Sequence, residues 1–153
     1  MELIANLHPR IVHFPIAFFI IYALFEIFGI ILKKDFLIKA AYITLILGII
    51  TALFAVLTGN QAQDAAKLIL DDKTVGISEA IKKHEEFATI TLWYFTALFI
   101  LRTYLLINKK FISSWKYIFI GLALIGCYLI YNTGYYGGEL VFKHGIGIHL
   151  QVK

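Results

Sequence analysis

Apolar residues fall along the chain in four long runs that short polar stretches separate. A helix rises 1.5 Å per residue, so about 20 apolar residues cross a hydrocarbon core of roughly 30 Å. The pattern predicts an all-α protein, a four-helix transmembrane bundle that forms one membrane domain over residues 1–153. The predicted helices cover residues 11–32, 40–58, 78–107 and 115–134.

Composition supports this class and excludes several others. The chain is 60% hydrophobic and 16% charged, whereas a soluble domain is about half apolar and a quarter charged. Its net charge of +4 is not gathered into a basic stripe on a soluble face, which argues against nucleic-acid binding. Residues 1–6 contain Glu2 and no basic segment, so we expect no cleaved signal peptide. With Cys127 alone, the chain has neither an intrachain disulfide nor a covalently attached c-type haem.

Charge placement predicts the topology. Both short loops between the predicted helices are basic, and the positive-inside rule places such loops in the cytoplasm. Both chain termini then lie outside, on the same side as every histidine. These are His8, His13, His84, His144 and His149.

An internal repeat predicts a tandem arrangement of two helix hairpins. His13 opens the first helix and His84 opens the third, 71 positions later. Thr58-Gly59 ends the second helix and Thr133-Gly134 ends the fourth, 75 positions later. Repeats of the same orientation are related by an axis along the membrane normal. In a square bundle the first and third helices are then diagonal, and we expect His13 and His84 to face each other.

Three further segments carry structural predictions. On the second helix, small residues from Gly48 to Gly59 form one stripe, which favours close helix packing. Residues 61–70 have the periodicity of an amphipathic helix resting on the membrane interface. After Gly134 a short glycine-rich tail is too short to span again, and we expect it to fold back over the bundle.

Two imidazoles that face each other inside a bundle suit a bis-histidine haem b. His13 and His84 are the predicted axial ligands. The contrasting interpretation is two interfacial histidines that hydrogen-bond to loops and lipid headgroups. A second alternative is a zinc or copper site, since imidazole suits both metals. Its candidate ligands are His8, His13, His84 and His144.

Other charged residues have candidate roles around such a site. Arg10 and Lys143 suit haem propionates, and His144 suits a hydrogen bond to a ligand or propionate. Glu26 and Arg102 lie inside the apolar runs, where charges normally face the bundle interior. Glu26 lies 13 positions after His13, and Arg102 lies 18 positions after His84. The difference of five residues is about 7 Å along a helix, which long side chains can bridge. An ion pair is the first hypothesis and a proton path the second.

The chain resembles a family of bacterial integral membrane proteins called domain of unknown function 2231. The resemblance rests on the opening His-Pro…His-Phe-Pro-Ile-Ala, on the acidic Glu26, on His84 and on Arg102. It also rests on the closing Thr-Gly-Tyr-Tyr-Gly-Gly-Glu-Leu-Val-Phe-Lys-His-Gly-Ile-Gly-Ile. It covers nearly the whole chain.

The resemblance implies redox work on the outer face of a bacterial inner membrane, because relatives occur joined to c-type cytochrome domains. The functional hypothesis is therefore a b-type cytochrome, an electron-transfer protein or subunit rather than a stand-alone enzyme. Its expected partners are the lipid bilayer, a c-type cytochrome or quinone, and a second copy or a larger membrane complex. A non-haem metal protein or a purely structural subunit is the alternative.

Overall fold

A computed structural model describes residues 7–67, 75–111 and 113–146. Pro15 lacks the N–H that would bond the carbonyl of Ile11, and the first helix is interrupted at Val12, between these two residues. The chain on either side of Val12 forms one membrane-spanning segment. The helices are α1 (His8–Ile11), α2 (His13–Ile31), α3 (Asp35–Lys67), α4 (Val75–Ile107) and α5 (Ser113–Phe142).

Four segments are long and apolar enough to cross a membrane, by their length and composition. They are His8–Ile31, Asp35–Asp64, Gly76–Ile107 and Trp115–Phe142. Large apolar side chains such as Phe14, Phe28 and Phe36 are exposed on the outer surface, as lipid-facing residues are. The predicted all-α architecture with four spans is confirmed.

The helices extend further than the sequence pattern indicates. α3 continues to Lys67, past Thr58, and α4 begins at Val75. α5 continues to Phe142. The prediction that the tail folds back directly after Gly134 is therefore wrong for the residues up to Phe142. Unpaired backbone groups cost several kcal/mol in an apolar phase, which outweighs the roughly 1 kcal/mol helix penalty of each glycine. Residues 68–70 of the expected interfacial helix lie outside the described residues.

The helices pack as a square. α2 contacts α3 and α5, and α4 contacts the same two helices. The hairpins α2–α3 and α4–α5 therefore stand in tandem, as predicted, with α2 diagonal to α4. Side chains from α2 and α4 meet in the middle of the bundle.

Residues that lie 76 positions apart meet at this centre. The ring of Phe19 stacks on that of Phe95 with 3.8 Å between centroids and 6° between planes. Further along, Glu26 forms a salt bridge with Arg102. Equivalent positions of two repeats touch each other only near the axis that relates them. The bundle therefore has a local twofold axis along its length.

Glycines on α3 and α5 make room for the stacked rings. A Cβ at Gly48 would lie 2.5 Å from Cδ1 of Phe19, and one at Gly126 would lie 2.7 Å from Cζ of Phe95. The two glycines are 78 positions apart, and each makes space for the phenylalanine ring of its own hairpin. The small-residue stripe on α3 thus takes part in close helix packing, as predicted, and the structure identifies the first span as its partner.

Alanine at Gly48 or Gly126 will destabilise the bundle by about 1–3 kcal/mol, because the stacked rings have no free space to move into. Thermal unfolding of the purified protein in detergent, followed by circular dichroism, measures the change. Gly121→Ala is the matched control, since nothing lies within 4 Å of its added Cβ. Equal unfolding temperatures for Gly48→Ala and Gly121→Ala would contradict the close packing.

Candidate functional site

Two histidine rings lie beside each other at one end of the bundle. His8 and His84 have their ring centroids 6.3 Å apart, with 69° between the ring planes. Both side chains are half-buried. They are again 76 positions apart, like the phenylalanine pair and the ion pair. The local twofold axis therefore passes between two imidazoles.

Helical periodicity explains why His8 points inward. It lies 7 positions before Pro15 and 11 before Phe19, which are both buried. Spacings of 7 and 11 return to the same face of a helix. His84 has the same relation to Thr91 and Phe95 on α4.

His13, which the repeat predicts opposite His84, is exposed. It lies five residues after His8, which corresponds to a rotation of about 140° around a helix. The structure therefore corrects the predicted pairing, because His8 rather than His13 faces the axis. The sequence does contain a signal for this. His8 precedes Glu26 by the same number of positions as His84 precedes Arg102.

Each imidazole has one nitrogen held by a hydrogen bond. Nδ1 of His84 donates to the carbonyl of Thr133 at 3.1 Å. Nδ1 of His8 lies 3.1 Å from Oγ1 of Thr58. That hydroxyl already donates to backbone carbonyls of its own helix, including that of Phe54. Its oxygen can therefore accept from His8, which would place the proton of that neutral ring on Nδ1, as the carbonyl of Thr133 does for His84.

In the Nδ1–H tautomer the other nitrogen of each ring, Nε2, carries the lone pair. The contacts to Thr58 and Thr133 both use Nδ1, and the ring of His8 also has a hydrogen bond with the backbone of Ala55. Glycines bring both rings against a neighbouring helix. A Cβ at Gly59 would lie 3.0 Å from Cε1 of His8, and one at Gly137 would lie 3.0 Å from Cε1 of His84. A fixed Nδ1–H and an available Nε2 is the arrangement of a metal-binding histidine.

A tetrahedral metal site does not form among these residues. In the described part of the chain, no group of three or more histidine, cysteine, aspartate or glutamate side chains could hold a metal ion. The alternative of a four-histidine zinc or copper site is therefore not assembled in this part of the chain. His144 is half-buried in the turn after α5, and His149 lies outside the described residues. Among the described residues, the imidazoles of His8 and His84 are the candidate ligands that lie together.

Arg10 and Lys143, the expected partners of haem propionates, lie in different environments. Arg10 is exposed, two residues after His8. Nζ of Lys143 donates to Oε1 of Glu139 on the same helix at 2.7 Å, and this hydrogen bond raises the pKa of Lys143. Lys143 is therefore engaged with a residue of its own helix.

Glu26 and Arg102 form the predicted ion pair at another depth. Each lies five helical turns beyond the histidine of its own hairpin, about 27 Å along a helix. Both side chains are buried, with 0% and 1% of their surface exposed. Arg102 also donates from Nη2 to the carbonyl of Ile38 at 2.8 Å and lies 5.2 Å from the ring centre of Phe111. These contacts fit a structural role in the half of the bundle opposite the histidines.

Comparison with known proteins identifies a family. No curated protein and no solved structure matches the chain. The family described as predicted membrane protein (DUF2231) matches residues 5–150. That range includes the histidine pair, the stacked phenylalanines and the ion pair. The chain therefore belongs to the DUF2231 family of predicted membrane proteins.

Proposed function

We propose that the protein is a membrane b-type cytochrome in which His8 and His84 would hold one haem. Bound there, the haem would supply one-electron chemistry for exchange with a c-type cytochrome or a quinone at the histidine end of the bundle. The observation that carries the proposal is the pair of imidazoles at the twofold axis, each with a hydrogen-bond contact at Nδ1.

The separation of the rings fits two ligands of one metal. Metal–imidazole bonds are about 2.0–2.1 Å long, so two of them plus the inner halves of both rings bring the centroids about 6 Å apart. The observed distance is 6.3 Å. The rings meet edge to face, with 69° between their planes.

The number of protein ligands favours haem over a bare metal ion. Zinc in proteins is held by three or four side chains. In the described part of the chain, no third histidine, cysteine or carboxylate completes a site with His8 and His84. A b-type haem carries four nitrogen ligands of its own and needs two from the protein. The available donor set therefore matches haem.

The protein's own residues would orient and tune such a group, while the iron supplies the one-electron chemistry. The hydrogen bonds from Nδ1 to Thr58 and Thr133 fix the tautomer and the rotation of each ring. Both histidines lie near one end of the membrane-spanning segments, which leaves a short path to a partner outside the bilayer. The apolar stack of Phe19 on Phe95 separates this end from the buried ion pair.

A visible spectrum tests the proposal. Protein purified from membranes in detergent will show a sharp reduced-minus-oxidised band of low-spin haem b. Extraction will recover about one non-covalent haem per chain, since one facing pair supplies two axial ligands. Colourless protein with stoichiometric zinc or copper would replace haem by a bare metal site. Colourless, metal-free protein would leave a structural role.

A further inference from the structure

The end of the bundle away from the histidines contains an open cleft of about 310 Å³. It lies where α3 begins, α4 ends and α5 begins. Polar and apolar side chains share its walls. The lining residues are Asp35, Ile38, Lys39, Leu106, Lys109, Phe111 and Lys116.

The cleft has excess positive charge. Lys39, Lys109 and Lys116 face one carboxylate, that of Asp35. Within residues 7–67, 75–111 and 113–146, none of the four side chains forms an ion pair. Lys116 is also attracted by the buried carboxylate of Glu26. Among the described residues that line the cleft, the ammonium groups of Lys39 and Lys109 face no carboxylate other than that of Asp35.

Helix dipoles add to the positive potential. α3 and α5 both start at the cleft, and helix N-termini carry a partial positive charge. In the first turn of α3 the carboxylate of Asp35 offsets this charge. Lys116 stands in the first turn of α5, where no acidic residue compensates it. A lysine at that position is unfavourable by itself and becomes favourable when an anion binds between it and the helix end.

The apolar walls indicate the chemical class of the anion. Ile38, Leu106 and Phe111 line the cleft together with the lysines. Next to them Phe36 and Ile107 are 78% and 75% exposed on the lipid-facing surface. A cavity of this volume is at the small end of the roughly 300–1,000 Å³ range of ligand sites. It suits a charged headgroup whose acyl chains stay along the helices outside.

We propose that this cleft binds the phosphodiester headgroup of an anionic phospholipid. The three ammonium groups and the N-terminus of α5 would hold the phosphate, and the exposed apolar surface beside the cleft would contact the acyl chains. Basic pockets between membrane helices bind lipid headgroups by the same chemistry. The proposal is independent of the haem at the other end.

Lipid titration tests it. The purified protein is titrated in mixed micelles with phosphatidylglycerol or phosphatidylcholine, and the thermal unfolding midpoint reports binding. We expect stabilisation by phosphatidylglycerol that phosphatidylcholine does not reproduce. A variant with Lys39→Gln, Lys109→Gln and Lys116→Gln will lose at least about tenfold in apparent affinity. Equal stabilisation by both lipids would overturn the proposal.

A matched variant separates the cleft from general surface charge. Lys33→Gln, Lys34→Gln and Lys110→Gln remove the same charge from exposed positions at the same end. This control should keep its affinity within about twofold. Equal losses in the two triple variants would show diffuse attraction and overturn the site. Stabilisation by inorganic phosphate alone, without lipid, would reassign the cleft to a soluble anion.

A single pair of variants keeps the test valid if a triple variant fails to fold. Lys33 and Lys109 are 76 positions apart and have the same backbone conformation, with φ of 54° and 53°. Lys33→Gln and Lys109→Gln therefore carry the same backbone strain and the same charge change. Only Lys109→Gln should lower the affinity for phosphatidylglycerol, by about fivefold.

Discussion

Replacing either His8 or His84 by alanine will abolish the haem spectrum of the purified protein, whereas His13→Ala will leave it intact. The two residues whose rings meet at the axis each supply one axial ligand in the proposal, while His13 is exposed on another face of its helix. Loss of one ligand leaves a single imidazole, which cannot hold a six-coordinate low-spin haem. The reduced-minus-oxidised spectrum and the haem content of each variant measure the effect.

Two controls separate ligand loss from misfolding. Circular dichroism should show native helix content and a cooperative unfolding transition for His8→Ala and His84→Ala. Added imidazole should restore a low-spin spectrum to either variant, because the truncated side chain leaves space for it. A haem spectrum that survives in His8→Ala and is lost in His13→Ala would contradict the assignment of His8 as a ligand. It would favour the predicted pair of His13 and His84.

Arg102→Met will lower the free energy of unfolding by about 3–5 kcal/mol, because it leaves the buried carboxylate of Glu26 without its partner. Glu26→Leu should have a similar effect by leaving Arg102 unpaired. The double variant Glu26→Leu/Arg102→Met should regain most of this loss, since apolar side chains of similar size often replace a buried ion pair without cost. Denaturant titration in detergent measures all three.

An exposed ion pair provides the comparison. Glu79 and Lys83 are paired on the surface of α4 with half or more of each side chain exposed. Lys83→Met should leave stability unchanged within error, because solvent screens such pairs. A double variant no more stable than Arg102→Met would show that the two residues do not act as a pair.

Local pattern predicted the architecture well because its causes are local. The four spans follow from runs of apolar residues. The second and fourth spans continue beyond their predicted ends, because the prediction ends each of these helices at a glycine. In α5, Gly134, Gly137 and Gly138 remain helical. Their backbone groups lie in or near an apolar phase, where leaving them unpaired costs more than glycine's poor helix propensity. Gly137 has a second use, since it lets His84 approach the helix.

The sequence indicates one histidine from each hairpin, and the structure brings together His8 and His84. An alignment of the repeat on the histidine nearest the start of the apolar run selects His13, which lies out of phase with the face that points to the axis. Aligning Glu26 with Arg102 instead sets the spacing of the repeat, and that spacing selects His8 as the counterpart of His84.

By itself the sequence determined the membrane class, the four spans and the duplicated hairpin, since each depends on hydropathy and spacing along one chain. Tertiary structure decided which histidine faces the axis, which glycines accept rings and which charges pair. Those choices depend on the rotation of each helix about its own axis. Packing between diagonal helices sets that rotation, above all the stack of Phe19 on Phe95 and the burial of Glu26 against Arg102.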